Sequence, residues 1–582
     1  MNKSSVLSPE RRSQDIARLT SQPLDVLVVG GGITGAGTAL DAATRGLSVG
    51  LVEAQDWGAG TSSKSSKLVH GGLRYLQMLD FRLVHEGLRE RGLLLGRLAP
   101  HLVHAVPILY PLRRPILERA YVGAGIALYD LLALSTASAG RLPRHRHLGR
   151  QRAWRAAPGL RHDALAGAVL YFDAQLDDAR YVVEVVRTAA AYGAVPLSRA
   201  TVVGFLLDEG RVAGARVRDA ETGAEHEVRA RVTISATGAW TEETEALAGH
   251  ARALRVRPSK GVHILVPRQR LDFSTGLILP TERSVLFVLP WCEHWLIGTT
   301  DTDWPYAKAR PLATVADVDY LLAEVNNVLA QPLSRSDVEA VYAGLRPLIA
   351  GSGVVRGPGE TRPDEATTKL SREHTVGRPA PGLVVVSGGK YTTYRVMAAD
   401  AVDAAVAEGE LHALACRTAK VPLLGARGWA PAWSGRSRLA ADHGLPLDQV
   451  EHLLHRYGSL APEVLAAASA EPSLAQPLTG AGGYLGAEVA YAVTHEGARH
   501  LDDVLSRRTR IAMEMADGGL ACAPAAAGVM SGLLGWGGAE VSAELEDFRR
   551  QVELREEAAR LAPDDSSAAR LAEGTQALLP LP

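Results

Sequence analysis

The chain has little cysteine: Cys292, Cys416 and Cys522 are scattered through 582 residues with no C-x-x-C spacing. That excludes a disulfide framework and a structural zinc site, and it fits a reducing compartment. There is no charge excess either, with 63 lysines and arginines against 64 aspartates and glutamates, so nothing points to a nucleic acid or a strongly acidic partner. No apolar run approaches the roughly 20 residues that cross a bilayer, and the opening "MNKSSVLSPERRSQDIARL" lacks the apolar core of a secretory signal. The nearest to a long apolar run, Tyr121 to Leu134, is interrupted by Asp130 and follows Arg113, Arg114 and Arg119. It reads either as an amphipathic segment at a membrane surface or as a core helix with a solvated basic flank.

What the chain does have is length for two to four domains and 58 glycines. Their most informative cluster is in "PLDVLVVGGGITGAGTALDAATRGLSVGLVEAQ". Val26 to Val29 predict a buried strand, which the following glycines end. Gly30, Gly32 and Gly35 fit G-x-G-x-x-G: a tight turn, close backbone approach to a pyrophosphate, and close packing of helix on strand. A helical stretch with Ala39, Leu40 and Ala43 follows, then a second apolar strand, Leu47 to Val52, ending in Glu53. An acid about 20 positions past the glycines is the acceptor that a ribose hydroxyl pair needs. A glycine turn that binds nothing is the alternative, and the complete strand–helix–strand setting favours a dinucleotide site.

Downstream, "GAGTSSKSSKLVHGGLRYLQ" is a loop by composition, and its hydroxyls and N–H groups suit a cofactor as well as they suit solvent. Phe81 to Leu98 predict an amphipathic helix stopped before Pro100, and Asp177 predicts an N-cap. Thr201 to Leu207 with Arg211 to Arg218 predict a hairpin, and Val232 to Ala236 a strand stopped at Gly238. Strand patterns end near position 390, beyond which the periodicity is helical. The reading is an α/β protein in which residues 1–22 form a loose leader and residues 23–405 a dinucleotide-binding domain interleaved with a mixed-sheet substrate domain. Residues 406–435 follow as a linker, 436–560 as a helical domain and 561–582 as a frayed tail.

Nine stretches in order, "LVVGGGITGAG", "TSSKSSKLVHGGLRYL", "DDARYV", "SATGAW", "KGVHILVP", "IGTTD", "GLRPL", "LSREHTV" and "GGKYTTYR", resemble FAD-dependent glycerol-3-phosphate dehydrogenase of the aerobic bacterial and mitochondrial type. The helical part, with "HLDDVLSRRTRIAME", is similar to that family's C-terminal domain. The resemblance implies a Rossmann-type FAD domain and oxidation of sn-glycerol 3-phosphate to dihydroxyacetone phosphate, with electrons passing to a membrane quinone. It further implies a protein held peripherally at the inner, cytoplasmic face of the cell membrane, with a homodimer as one possible assembly. It is also what favours FAD over NAD.

That reaction needs fixed cations for a phosphate dianion and a base for the C2 hydroxyl. Arg74, Arg346, Arg372 and Lys390 each stand beside a glycine turn or a strand end. His263 alternates with Val262 and Ile264 on a strand and is the first candidate base, although a buried histidine that is merely hydrogen-bonded fits the same pattern; His70 is the second candidate. Arg346 or Lys390 would stabilise the alkoxide or hold the phosphate. By resemblance, Tyr75 and Lys260 join the substrate site, and Thr61, Ser62, Ser66, Gly238 and Gly389 join the glycine triad and Glu53 around FAD. Val262 stands where many relatives carry a small polar residue, so a hydroxyl contact to substrate or flavin from that position is expected to be lost. Two other readings stay open: an amine or amino-acid oxidase on the same fold, and a dinucleotide-fold binding protein without redox activity.

Overall fold

The computed structural model describes the chain except residues 1–4, 73–79, 115, 135, 137–140, 250–253, 282–284, 350–372 and 574–582. The first element, helix α1 (Pro9–Ser21), is capped by Ser8, whose hydroxyl accepts the Arg11 N–H at 3.4 Å. Leu19 is buried with Ile16 against it in one apolar cluster, and Arg12 donates to the Ser198 carbonyl at 2.6 Å and pairs with Asp219. Helix α1 is therefore docked within the stretch where a loose leader was expected, because its helical apolar spacing finds a partner surface.

Strand β1 (Leu24–Val29), helix α2 (Ile33–Thr44) and strand β2 (Val49–Val52) follow, as the glycine motif predicts. Eleven of the twelve residues of α2 are buried, which explains its small side chains. In the first sheet β1 lies between β2 and β3 (Glu225–Ser235), both parallel to it. Strand Leu383–Gly388 continues the sheet beyond β3, and Val195–Leu197 continues it beyond β2. Hairpin Ala200–Asp208 with Arg211–Asp219 joins it through β3.

The second sheet has ten strands and is largely antiparallel. Its strand β4 (Val256–Pro267) pairs along most of its length with β5 (Ala340–Ile349), and on the other side with His294–Gly298. Helix α3 (Leu117–Leu134) lies beside this sheet, burying Val122, Ile126 and Tyr129. Helix α4 (Asp178–Ala191) is capped by Asp177, which accepts the Arg180 N–H at 3.2 Å; such a cap is worth about 1 kcal/mol. Beyond Gly388 the described residues contain helices and turns but no further strand. Helix Asp565–Glu573 buries Ala568, Ala569 and Ala572 near Trp304, so part of the expected frayed tail is seated.

Buried ions tie the C-terminal helical region to the loop after β2 and to α4. Arg508 forks onto Asp56 at 2.6 and 2.7 Å, and Arg180 pairs with both Glu184 and Glu496 with all three side chains fully buried. Removing one partner from such a pair strands the other charge and costs about 3–5 kcal/mol.

Burial holds His101 down to about 3, and His104 and His495 down to about 4. All three stay neutral in the fold but take up protons once unfolded below the ordinary histidine value. The unfolded state thus binds more protons, and stability falls as the pH drops through 6.5 towards 4. His500 acts in the opposite sense: against burial, Glu221 and Glu544 hold it up to about 9, a contribution complete below 6.5 and lost as the pH rises through 9. Thermal unfolding should therefore show a midpoint that decreases from pH 7 to pH 5; an increase over that interval would contradict the neutral assignments.

Candidate active site

One cavity of about 820 Å³ is bounded by both sheets, within the range of pockets that enclose sizeable ligands. Its first end is the turn after β1. Gly30, at φ +107°, and Gly32 line it, whereas Gly35 sits behind them, where an added Cβ would lie 1.8 Å from the Gly30 carbonyl oxygen. Helix α2 starts at Gly32 without a side-chain cap on that residue, so its N-terminus faces the cavity with Ile33 and Thr34, an arrangement that favours an anion. Glu53 lines the same end, accepting the N–H groups of Gly31 at 2.6 Å and Gln55 at 2.8 Å. Burial raises its pKa. Ser62 accepts the Ile33 N–H at 2.9 Å, and the Thr61 hydroxyl donates to the Leu345 carbonyl. Gly238 at φ +57° and Gly389 at φ +75° complete the wall. A bare backbone turn, a helix N-terminus and a carboxylate beyond β2 fit a dinucleotide.

The second end is built by the pairing of β4 with β5. His263 lies opposite Tyr342, Gly261 opposite Gly344, and Ser259 opposite Arg346. Period two puts Gly261 and His263 on one face of β4, and Gly344 and Arg346 on the matching face of β5. These four line the cavity. The glycines leave room there: a Cβ on Gly261 would meet the Arg346 guanidinium at 2.4 Å. Arg346 donates to the Thr299 hydroxyl at 2.9 Å and the Thr300 carbonyl at 3.1 Å, with Asp301 at 3.7 Å. The His263 ring stacks on Tyr342 with centroids 4.9 Å apart, and its Nε2 lies 2.8 Å from the Ser66 hydroxyl. Burial, then the Arg346 and Lys67 cations, hold its pKa well below 6.5, so the imidazole is neutral. Lys390 and His70 line the cavity too, the His70 N–H reaching the Thr392 hydroxyl at 3.3 Å.

Arg74, Tyr75 and Arg372 lie outside the described residues. Lys260 does not belong to the cavity. It is three positions from His263 and therefore on the opposite face of β4, fully buried, with its ammonium on Asp317 at 2.6 Å and on Asp565. Val262 shares that face and packs in the core of the second sheet, so no hydroxyl at its position would reach the cavity. Sequence reasoning missed Lys64, which lines the cavity and which burial lowers to about 8. The only signal for it was its place in the hydroxyl-rich loop between Thr61 and Ser66. Tyr342 was missed as well.

Comparison with known proteins accounts for this arrangement. Residues 25–404 match the FAD dependent oxidoreductase family, and residues 416–541 match the C-terminal domain of alpha-glycerophosphate oxidase. Glycerol-3-phosphate dehydrogenase 2 of Mycobacterium tuberculosis is 50% identical over 562 residues, covering 97% of this chain and 93% of that protein. The chain belongs to the FAD-dependent glycerol-3-phosphate dehydrogenase family. The human mitochondrial glycerol-3-phosphate dehydrogenase is 37% identical over 94% of this chain and 74% of its own length. The structure of the glycerol-3-phosphate dehydrogenase from Bacillus halodurans complexed with FAD superposes with a TM-score of 0.76 at 29% identity, covering 96% of this chain and 99% of that one. As in this family, the cofactor is FAD, and the cradle described above fits it.

Gly35→Ala tests the fit of helix to strand. With 1.8 Å available to the new methyl, α2 must move off β1, and the purified variant should lack the flavin absorbance that the parent carries. Full FAD content in the variant would show that this close contact is not required.

Proposed function

We propose that this protein oxidises sn-glycerol 3-phosphate to dihydroxyacetone phosphate. The observation that carries the reading is the joining, in one cavity, of a dinucleotide cradle with Arg346, Lys390 and Lys64. An arginine fork gives a phosphate two parallel charge-assisted hydrogen bonds, and a lysine adds a point charge. An amine or amino-acid substrate has one carboxylate to hold and would not call for three cations. When bound, FAD would supply the two-electron acceptor for the hydride that leaves C2, at N5 of its flavin. The chain's own part is to hold the substrate and manage its proton. His263, neutral and turned into the cavity, can take the proton from the C2 hydroxyl, while Ser66 and the Tyr342 ring fix the imidazole's orientation. Arg346 and Lys390 lower the cost of negative charge at the substrate oxygens. By resemblance Arg74, Tyr75 and Arg372 join Arg346 and Lys390 in the proposed substrate site; Glu53, Thr61, Ser62, Gly238 and Gly389 are assigned to FAD.

Electrons pass onward to a membrane quinone in this reading, with the protein resting on the inner face of the membrane. Support comes from α3 and the residue before it, where Ile116, Leu117, Tyr121 and Leu131 are 62–78% exposed beside the exposed Arg113 and Arg114. Apolar side chains flanked by basic ones suit an anionic bilayer surface. Among the described residues no helix is long and apolar enough to cross a membrane.

Arg346→Ala should raise KM for glycerol 3-phosphate and lower kcat, together costing on the order of a hundredfold in kcat/KM, with FAD content unchanged. Wild-type kinetics would remove Arg346 from the site. For the membrane contact, Leu117→Asp combined with Leu131→Asp should abolish co-sedimentation with vesicles containing anionic lipid. Retained binding would place the contact elsewhere.

A further inference from the structure

Loop Thr61–Lys67 is held from below by a buried set of charges that lies outside the cavity. Asp178, fully buried, accepts the Ser65 backbone N–H at 2.9 Å and the Ser65 hydroxyl at 2.7 Å through one carboxylate oxygen. Through the other it takes the Lys67 ammonium at 2.7 Å and the guanidinium of Arg510. Lys67 also donates to the Ser63 carbonyl at 2.7 Å, and its backbone is left-handed, at φ +60°. A lysine takes that conformation only where its surroundings dictate it. Between the two anchored residues stands Ser66, whose hydroxyl reaches His263. Tyr342, stacked on His263, donates its hydroxyl to the Ser65 carbonyl at 2.7 Å, so the loop and the imidazole are fixed by the same few contacts.

Arg510 belongs to the C-terminal helical part of the chain, 332 residues from Asp178, and is 2% exposed. It also pairs with Asp177 at 3.0 Å, and Arg456 meets Asp177 at 3.3 Å and Glu488 at 3.7 Å. The carboxylates Asp177, Asp178 and Glu488 are thus matched by Lys67, Arg456 and Arg510. Without Arg510, two adjacent buried carboxylates compete for the remaining two cations, and Lys67 is the one free to shift with the loop.

We propose that Arg510 is a positioning residue: acting through Asp178, it holds Ser66, and with it the His263 imidazole, in the geometry that proton removal requires. Arg510 does not line the cavity, so its effect is on placement rather than on binding. The proposal rests on the reading of His263 as the base. It gives the C-terminal helical region a part in the chemistry, over and above stability.

The test uses the FAD-loaded full-length protein. Arg510→Met keeps the length and removes the charge, and Arg510→Lys restores the charge without the fork. In anaerobic stopped-flow reduction by sn-glycerol 3-phosphate, R510M should lower the limiting rate by about tenfold or more, as small misplacements do. FAD content and the half-saturating substrate concentration should stay near wild type, and R510K should recover part of the rate. A limiting rate in R510M equal to wild type overturns the proposal, as does a loss confined to substrate affinity. Hydrogen exchange across residues 61–67 gives a readout independent of the substrate: it should quicken in R510M, and unchanged exchange also overturns the proposal. Wild-type flavin left oxidised by glycerol 3-phosphate would instead sink the substrate reading, with the exchange result still deciding the loop. If R510M does not fold, Asp178→Asn is compared with D178N/R510M. The double variant, which removes charge and counter-charge together, should reduce its flavin faster than D178N alone, and a slower double variant contradicts the coupling.

Discussion

The antiparallel register of β4 against β5 decides what the cavity contains. With His263 opposite Tyr342 and Ser259 opposite Arg346, alternation brings an imidazole and a guanidinium to one face, separated by two glycines that leave the space between them open. The other face of β4 carries Lys260, Val262 and Ile264 into the core. A slip of β4 by one residue would exchange its two faces, turning Lys260 and Val262 towards the cavity in place of Gly261 and His263. The interlocked apolar face, with Ala343 also in it, makes such a slip costly, so packing on one side fixes chemistry on the other.

The cavity's two ends come from different kinds of construction. At the dinucleotide end, atoms are left out: glycines at positions 30, 32 and 35 let helix, strand and ligand approach one another. At the other end, charges are placed and then restrained. Arg346 is held by Thr299 and Thr300, and the loop carrying Ser66 by Asp178 and its two cations. Those cations come partly from the C-terminal helical part, whose attachment to α4 and to the loop after β2 is itself ionic and buried. Such ion sets add little net stability compared with apolar packing, but each carboxylate and guanidinium has directional partners, which specify one arrangement.

The glycine motif, the strand after it, the hairpin near residue 210 and the change to helices after residue 390 were all legible, because each is local: a period, a turn residue or a cap. The alternation that places His263 was legible as well. Applied to Lys260, the same rule would have turned it away from the site, whereas resemblance alone assigned it there. The docked helix Pro9–Ser21 carried a readable signal in Ser8, Pro9 and the Ile16–Leu19 spacing. The Phe81 helix was expected to reach Leu98 but ends at Leu93, followed by a wider turn, Leu94–Leu98. Contacts across long separations were not legible. Asp178 meets Lys67 over 111 residues and Arg510 over 332, and neither pairing leaves a periodic trace. The seat of helix Asp565–Glu573, fixed through Lys260, is hidden for the same reason.

In the proposed function, the cation-lined end of the cavity selects a phosphorylated alcohol for the flavin beside it. Its most direct test is anaerobic titration of the yellow, FAD-loaded protein, followed by flavin absorbance, with sn-glycerol 3-phosphate, glycerol and glycine in parallel. The phosphorylated alcohol should bleach the flavin, and the other two should leave it yellow at the same concentration. Bleaching by glycine with glycerol 3-phosphate inert, or equal bleaching by glycerol, would contradict that selection.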